Sequence, residues 1–263
     1  MFVQENVVHV GGMQIKDAKP LPEKLQAFMD AATEGAVLMS FGTTFNTTSM
    51  SKQMLNEFLR FMTEVNRPIV LKWDKGSEIE VPDNVFTTPW VPQQDLLAHP
   101  NLKVFVTHGG LFSAMEAIYN NVLLVGIPHA FDHRPVISRL QRKNVAILIE
   151  FSDLDADTLL AAVKRAFEDQ SMADSMSELS RLFKDVPMRP VEKAAWWVEF
   201  VCRHKGADFL KPKARHLPWY KYYNLDICLA ISGFILIVIL GMGKLVEKLC
   251  VALYSCRNKL KRD

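Results

Sequence analysis

Short apolar runs alternate with amphipathic segments through most of the chain. Strands are predicted for the apolar runs at 36–41, 69–73, 85–88, 104–107, 123–127 and 146–149. Helices are predicted for the periodic segments at 52–65, 111–120, 136–143 and 156–168. Continuous apolar runs of this length, separated by helices, are typical of a parallel sheet that is covered on both faces. The pattern therefore predicts an α/β fold built on a doubly wound parallel sheet.

Helical periodicity continues from residue 172 to residue 206 and includes a stripe of large aromatic side chains. Trp196, Trp197 and Phe200 lie close together in this segment, and such a stripe is too apolar for a lone surface helix. Two interpretations stay open. The stripe packs into the core of the same domain, which the pattern favours, or it docks onto another body.

The segment 227–243 (ICLAISGFILIVILGMG) carries no charge and has the composition of a membrane span. Tyr220, Tyr222 and Tyr223 lie before it. Six basic residues follow it: Lys244, Lys248, Arg257, Lys259, Lys261 and Arg262. Aromatic residues at one border and basic residues at the other favour a transmembrane helix over a buried core helix.

The basic residues also predict the orientation of this helix. By the positive-inside rule, the tail 244–263 is cytosolic, and the large preceding part lies on the lumenal or exterior side. The Lys-x-Lys-x-x ending at Lys259 and Lys261 resembles an endoplasmic-reticulum retrieval signal, although a stop-transfer cluster explains it equally well. The first ten residues lack the basic and apolar segments of a signal peptide, so we expect a preceding segment.

Composition excludes several classes of function. A hydrophobic content of 49% and a charged content of 23% predict a folded chain with a sizeable core. The net charge is +2, and this excess arises from the basic tail. The rest of the chain therefore gives no electrostatic support to nucleic-acid binding. The four cysteines show no paired spacing, so neither a disulfide framework nor a zinc site is predicted.

Polar and aromatic residues follow four of the predicted strands. These residues are Thr43, Trp90, His108 and Asp132. In doubly wound sheets, ligands bind outside the carboxyl ends of the strands. We therefore expect a ligand site at this edge of the sheet.

His108, Gly109 and Gly110 lie between a predicted strand and a predicted helix. This arrangement suits a phosphate group, because glycines permit close approach of the backbone and the helix N-terminus offers free N–H groups. His108 can add a hydrogen bond to a diphosphate. The alternative for His108 is a structural histidine at a strand end. Thr43 follows Gly42 and offers a second hydroxyl and amide group, unless this segment is merely a turn.

Three further side chains suit a nucleoside. Trp90 offers a flat face on which a base can stack, and Gln93 offers a nearby amide; the alternative for Trp90 is a buried core residue. Glu116, in the second turn of the helix after Gly110, can reach the hydroxyls of a ribose. Alone, Glu116 would be interpreted as a solvated helix charge.

These motifs together resemble one family. They are GGMQIKDAKPLP from Gly11, WVPQ from Trp90, THGG with EAI in 107–118, GIP followed by Asp132, EFVCRHKGA and LPWY. From about Gly11 to the tail, the chain resembles the C-terminal half of a membrane-bound UDP-glycosyltransferase of the animal UDP-glucuronosyltransferase type. The resemblance implies the C-terminal half of a two-domain GT-B glycosyltransferase, followed by one transmembrane helix.

The resemblance also implies a role for each site residue. Trp90 would stack on uracil, Gln93 and Glu116 would hold the ribose, and Thr43, His108, Gly109 and Gly110 would hold the diphosphate. Asp132 and His133 would hold the sugar. The family usually has Asp-Gln at this last position, and the histidine here leaves the sugar undecided between glucose and glucuronate.

The implied reaction is transfer with inversion to a small lipophilic acceptor in the endoplasmic reticulum, without a metal or other cofactor. The base and the acceptor pocket belong to the N-terminal half in this family, so this chain is expected to be inactive alone. The alternative is a non-catalytic, membrane-anchored UDP-binding partner in a homo- or hetero-oligomer with full-length subunits. The resemblance also implies that the helix around Trp196 packs across to the other half.

Two motifs have a simpler interpretation. The aspartates at 153, 155 and 157 fit a metal-binding Asp-x-Asp pattern but precede a helix, where capping is favoured. Asn46 begins an N-glycosylation sequon, which is consistent with a lumenal location.

The expected organisation is therefore an entry linker, a UDP-sugar-binding domain, a C-terminal helix with a juxtamembrane segment, the transmembrane helix and the basic tail. The respective ranges are 1–22, 23–190, 191–226, 227–243 and 244–263.

Overall fold

The computed structural model describes residues 7–42, 51–73, 80–211 and 217–259, with side chains described as far as Lys248. Residues His9–Glu199 form one compact unit. The described residues from Phe200 onward belong to a second unit, which contains the long C-terminal helix. The first unit begins well inside the predicted entry linker and therefore includes most of that segment.

Six parallel strands form the sheet of the first unit. They are β1 (Ala36–Ser40), β2 (Ile69–Lys72), β3 (Val85–Thr88), β4 (Leu102–Thr107), β5 (Leu123–Gly126) and β6 (Ala146–Leu148). Their spatial order is β3-β2-β1-β4-β5-β6, and every neighbouring pair is parallel. The predicted doubly wound sheet is confirmed. The order reverses between β1 and β4, and this switch point is where such sheets bind ligands.

Helices connect the strands and continue after them. In the first unit they are α1 (Glu23–Ala31), α2 (Lys52–Glu64), α3 (Gln93–Leu97), α4 (Leu111–Tyr119), α5 (His133–Arg142), α6 (Ala156–Glu168), α7 (Gln170–Lys184) and α8 (Pro190–Arg203), the last of which extends into the second unit. Helix α5 begins three residues before the predicted start. Pro135 lies in its first turn, where a proline is tolerated because the missing N–H has no partner within the helix.

The core consists of apolar side chains on both faces of the sheet. All five residues of β1 are buried, as expected for a central parallel strand. Phe61 and Met62 of α2 and Phe105 of β4 are among the largest fully buried side chains. Ile137 of α5 is also fully buried, and it lies against Gly109 and Gly126 at the carboxyl ends of β4 and β5. Core packing therefore reaches directly under the predicted site.

The Asp-x-Asp segment acts as a helix cap. Asp155 is the N-cap of α6, and its Oδ1 accepts a hydrogen bond of 2.8 Å from the Thr158 backbone N–H. Asp157 Oδ1 accepts a hydrogen bond of 2.5 Å from Arg60. The capping interpretation is confirmed for Asp155.

Helix α8 does not place its aromatic residues in the core. None of its side chains is buried, and Trp196 is exposed. The favoured prediction, that this stripe packs into the core of the same domain, is wrong. The last residue of the stripe, Phe200, belongs to the second unit. No pattern in the sequence marks the boundary between the two units.

The second unit contains α9 (Trp219–Tyr222) and α10 (Leu225–Lys259). Among the described residues, α10 alone is long and apolar enough to cross a membrane, within Leu225–Lys248. Its 35 residues correspond to about 50 Å, compared with about 30 Å for the hydrocarbon core of a bilayer. The helix therefore continues through most of the predicted tail 244–263.

The contact between Gly126 and Ile137 gives a stability prediction. A Cβ atom on Gly126 would lie 2.4 Å from Ile137 Cγ1 and 2.5 Å from its Cδ1. Because Ile137 is fully buried, we expect Gly126→Ala to lower the free energy of unfolding by about 1–3 kcal/mol. Urea unfolding of the whole chain in detergent micelles measures this change.

The double variant Gly126→Ala/Ile137→Ala is the control for the mechanism. Removing the isoleucine side chain leaves room for the new methyl group, so the added cost of Gly126→Ala should be much smaller in this background. An equal cost in both backgrounds would contradict the steric explanation. Gly241→Ala should not lower stability, because nothing lies within 4 Å of the added methyl group and alanine is favoured over glycine inside a helix.

Candidate functional site

A cleft of about 490 Å³ opens at the carboxyl edge of the sheet, beside the switch point. Its lining comes from five parts of the chain: Lys16, Asp17 and Lys19; Ser40 and Gly42; Lys72; residues 90–95; and Glu116. Another cavity, of about 420 Å³, lies beside the C-terminal end of α2. It is lined by residues 64–67 and by six residues of α6: Leu160, Ala161, Val163, Lys164, Phe167 and Glu168. The cleft of about 490 Å³ contains three of the predicted site residues, Trp90, Gln93 and Glu116, so it is the candidate site.

Glu116 is buried in the floor of this cleft and accepts hydrogen bonds at both carboxylate oxygens. Gln93 Nε2 donates to Glu116 Oε2 at 2.7 Å, and Gln94 Nε2 donates to Oε1 at 3.0 Å. Gln93 Nε2 also lies 3.1 Å from Ser113 Oγ. Burial raises the pKa of Glu116, and the two amide hydrogen bonds oppose this effect. The interpretation of Glu116 as a solvated helix charge is wrong.

The predicted entry linker is attached to the same cluster. Gln94 Oε1 accepts a hydrogen bond of 3.0 Å from the Lys16 N–H, and Gln94 Nε2 donates to the Gln14 carbonyl at 3.2 Å. Asp95 Oδ1 accepts a hydrogen bond of 2.9 Å from the Lys19 N–H. The segment from Gln14 to Lys19 therefore forms one wall of the cleft.

Trp90 presents its ring to solvent at the rim of the cleft. The side chain is 70% exposed, so the alternative of a buried core tryptophan is wrong. Its backbone is fixed by Thr88, whose Oγ1 donates to the Trp90 carbonyl at 2.9 Å. Helix α3 begins three residues later and carries Gln93 and Gln94. One short turn and helix thus position a free aromatic face and two amide groups.

His108 is buried between two glycine backbones. A Cβ atom on Gly42 would lie 2.8 Å from His108 Cε1, and one on Gly110 would lie 2.7 Å from its Nε2. Desolvation by burial, with smaller contributions from His133 and His129, lowers the pKa of His108 to about 4, although Asp132 opposes the shift. The imidazole is therefore neutral at pH 7 and can take part in hydrogen bonds without adding a positive charge.

Gly109 and Gly110 bring the backbone close to this ring. Gly109 has φ +89°, and a Cβ atom there would lie 2.4 Å from Ile137 Cγ1, so only glycine fits without strain. Gly110 is the N-cap of α4 and carries no side chain that could cap the helix. The first N–H groups of α4 are therefore open to an anionic ligand.

Asp132 and His133 lie at the start of α5, but they differ in exposure. Asp132 is exposed, and its side chain makes no capping hydrogen bond within the described structure. His133 is buried, and its ring lies 4.6 Å from the His108 ring, centroid to centroid. His133 Nδ1 has no hydrogen-bond partner among the described residues. The structure thus places the His133 ring against His108, away from solvent.

Two predicted residues lie outside the described residues. They are Thr43 and the sequon residue Asn46. Their predicted roles stay predictions.

Sequence reasoning missed three side chains in this region. Gln94 has its partners in segments far away along the chain. Lys72 lines the cleft at the end of β2, and its Nζ donates to the Gly42 carbonyl at 2.8 Å. The His129 ring lies 5.1 Å from the His133 ring. Two sequence signals could have identified two of them. Lys72 ends an apolar strand, and His129 follows the GIP motif four residues before His133.

Comparisons with known proteins show the family to which this chain belongs. The family described as UDP-glucoronosyl and UDP-glucosyl transferase matches residues 2–263, and the chain belongs to this family. UDP-glucosyltransferase 2 of Dactylopius coccus is 34% identical over 98% of this chain and 50% of that protein. UDP-glucuronosyltransferase 2B10 of Homo sapiens is 33% identical over 94% of this chain and 46% of that protein. The chain thus spans about half the length of these curated relatives.

Solved glycosyltransferases share the fold. The glycotransferase of kitacinnamycin has a TM-score of 0.56 and 25% identity, over 71% of this chain and 46% of that chain. Os79 from O. sativa, solved with UDP, has a TM-score of 0.60 and 19% identity, over 70% of this chain and 46% of that chain. The six-stranded sheet therefore corresponds to about half of a GT-B glycosyltransferase.

The lowered pKa of His108 predicts how stability depends on pH. Between pH 6.5 and about 4, the unfolded chain binds a proton at this residue, whereas the folded chain does not. The folded state therefore loses stability as the pH falls through this window. We expect His108→Gln to reduce the loss between pH 7.5 and 4.5 by about 1–2 kcal/mol. Unfolding by urea in detergent micelles at both pH values measures the effect.

The exposed residue His9 offers the matched control. His9→Gln should keep the pH dependence of the parent chain. An unchanged pH dependence in His108→Gln would contradict the neutral state of the buried ring.

Proposed function

We propose that this chain supplies the donor-binding half of a UDP-sugar-dependent hexosyltransferase. The observation that carries the proposal is a cleft at the switch point of the sheet that contains an exposed tryptophan ring and a buried carboxylate held by two amides. The glycine cradle at the N-terminus of α4 is next to this cleft, because the cleft residue Gly42 lies against the His108 ring. These groups match the base, the ribose and the diphosphate of a UDP-sugar in that order.

Each part of the donor then has a partner. Trp90 stacks on uracil, while Gln93 and Glu116 hold the ribose hydroxyls. His108, Gly109, Gly110 and Thr43 hold the diphosphate. In addition, the Lys72 ammonium group at the cleft offsets the negative charge that a neutral His108 leaves uncompensated.

The proposed reaction is transfer with inversion to a small lipophilic acceptor. A base from outside this chain removes the proton of the acceptor hydroxyl, and the hydroxyl oxygen forms a bond to the anomeric carbon. The bond from that carbon to the phosphate oxygen breaks, and its electron pair stays on UDP. The open N–H groups of α4 stabilise the charge that develops there. We expect the chain to be inactive without the half of the protein that supplies the base.

The sugar is glucose or glucuronate, held by Asp132 and His133. The Asp132 carboxylate makes no capping hydrogen bond to α5, so it is available to accept hydrogen bonds from sugar hydroxyls. This observation supports the sugar-binding role of Asp132. The His133 ring is buried in the free protein, so Asp132 is the more accessible of the two side chains.

We place the protein in the endoplasmic-reticulum membrane, with α10 as its single span and the site on the lumenal side. The apolar stretch of α10 and the basic residues that follow it support this orientation.

We further propose that the donor binds without a metal cofactor. Asp155 caps α6 and Asp157 pairs with Arg60, so the Asp-x-Asp segment is engaged in the fold. UDP affinity, measured by calorimetry, should therefore be the same in EDTA and in magnesium. A dependence on magnesium would contradict this part of the proposal.

The main test is UDP binding to the whole chain in detergent micelles, measured by calorimetry with Trp90→Ala as the variant. Loss of base stacking should weaken binding about 10- to 100-fold. Because Trp90 is largely exposed, the variant should fold as the parent does. Trp219→Ala is the matched control, since Trp219 is 69% exposed and belongs to the second unit.

Absence of UDP binding to the parent chain, or equal binding by Trp90→Ala, would overturn the proposal. Titration with UDP-glucose and UDP-glucuronate in the same experiment ranks the two sugars.

The second candidate function is a non-catalytic, membrane-anchored UDP-binding partner of full-length subunits. The cleft and the apolar helix α10 support binding and anchoring for this role as they do for catalysis. Co-purification with a full-length family member, with UDP binding but no transfer of its own, distinguishes this role from catalysis.

A further inference from the structure

Gln94 uses almost all of its hydrogen-bonding capacity inside the protein. Its Nε2 donates to the Gln14 carbonyl at 3.2 Å and to Glu116 Oε1 at 3.0 Å, and its Oε1 accepts from the Lys16 N–H at 3.0 Å. A side-chain amide has two N–H donors and two acceptor positions, so both donors of Gln94 are in use. Gln94 lines the cleft but has no donor left for a ligand. Its effect on binding therefore acts through the groups that it holds.

The neighbouring amide, Gln93, has a different role. Its Nε2 donates to Glu116 Oε2 at 2.7 Å and to Ser113 Oγ at 3.1 Å. Gln93 is also assigned to the ribose under the proposed function, so a bound ribose competes with Glu116 for its amide group. The hydrogen bond from Gln94 is free of this competition. It can hold Glu116 Oε1 in place while a ribose is bound.

Gln94 also attaches one wall of the cleft to α4. Gln14 and Lys16 belong to this wall, and Gln14 Nε2 donates in turn to the Phe112 carbonyl at 3.4 Å. Phe112 and Glu116 are about one turn apart on α4. Gln94 and Gln14 therefore tie the wall to two successive turns of the same helix. Within this network, Glu116 is the charged group that lines the cleft.

We propose that Gln94 is a positioning residue for the donor: it fixes the Glu116 carboxylate, and the site thereby selects nucleotides that carry ribose hydroxyls. This inference rests on the proposed function, in which Glu116 holds the ribose. Hydrogen bonds weaken steeply when their geometry is poor, so a carboxylate that can rotate binds two hydroxyl groups less well than a fixed one. Burial raises the pKa of Glu116, and the bonds from Gln93 and Gln94 oppose that rise. The network thus favours the ionised form, which accepts hydrogen bonds at both oxygens.

The test compares UDP with 2′,3′-dideoxy-UDP, which lacks both ribose hydroxyls. Calorimetry on the whole chain in detergent micelles measures both affinities for the parent and for Gln94→Met, whose side chain has a similar length but no amide group. We expect the parent to bind UDP about tenfold more tightly than dideoxy-UDP. In Gln94→Met this preference should fall to about threefold or less, with the affinity for dideoxy-UDP within about twofold of the parent. A merely structural role would weaken both nucleotides equally and leave the preference unchanged.

Gln26→Met is the matched control. Gln26 also bonds a carboxylate, Asp30 Oδ1, at 3.0 Å and accepts from the Leu21 N–H at 3.4 Å, but it does not line the cleft. This variant loses a comparable set of hydrogen bonds, and we expect it to keep the ribose preference of the parent.

Gln94→Glu is a second variant, which has nearly the shape of the parent side chain. It keeps an acceptor for the Lys16 N–H, removes the donor to Glu116 and adds a like charge beside it. Its ribose preference should fall as in Gln94→Met, and it decides the question if Gln94→Met does not fold. The inference is wrong if the folded variants keep the preference of the parent, or if the parent binds both nucleotides equally. Absence of UDP binding to the parent would instead remove the proposed function itself.

Discussion

The buried carboxylate of Glu116 is the interaction on which the candidate site depends. A buried carboxylate is costly unless hydrogen bonds replace its lost hydration. Here Gln93 and Gln94 supply them from α3, and Gln94 also bonds the backbone of Gln14 and Lys16. One charge therefore joins α4, α3 and the N-terminal segment, which are separated along the chain. The hydrogen bonds that Glu116 needs therefore position the floor of the cleft, and through Gln94 they also position one wall.

The electrostatics of the neighbouring cradle follow from a similar constraint. Three histidine rings lie together at the ends of β4 and β5, and burial keeps His108 neutral. The free protein thereby avoids the cost of a buried positive charge at this position.

The sequence predicted the sheet well because parallel strands are continuous apolar runs. The errors have physical causes. Strand β4 begins two residues before the predicted start, because the exposed Lys103 interrupts the apolar run. Helix α3, with five residues, is too short for periodicity to be detected. The domain boundary and the exposure of Trp196 depend on which surfaces meet in three dimensions, and a one-dimensional pattern does not contain that information.

In the site, as in the fold, some features could be predicted from the sequence and others could not. Trp90, His108 and Glu116 could be named from their positions after strands and in the first turns of a helix. Their states could not be predicted, because each state depends on partners that are distant in sequence. Glu116 is buried because two glutamines bond it from 22 and 23 residues away. His133 is buried because its ring packs on His108, and neither contact leaves a periodic signal.

The exposed and buried residues of the site have different consequences for binding. A carboxylate offers about four lone-pair positions, and the two glutamine amides occupy one at each oxygen of Glu116. The remaining positions can accept hydrogen bonds from a ligand while both amide hydrogen bonds stay in place. Trp90 loses little internal packing when a ligand covers it, because its side chain is 70% exposed in the free protein. The free-energy cost of ordering these side chains is therefore met when the chain folds and not when a ligand binds. A preorganised site has this property.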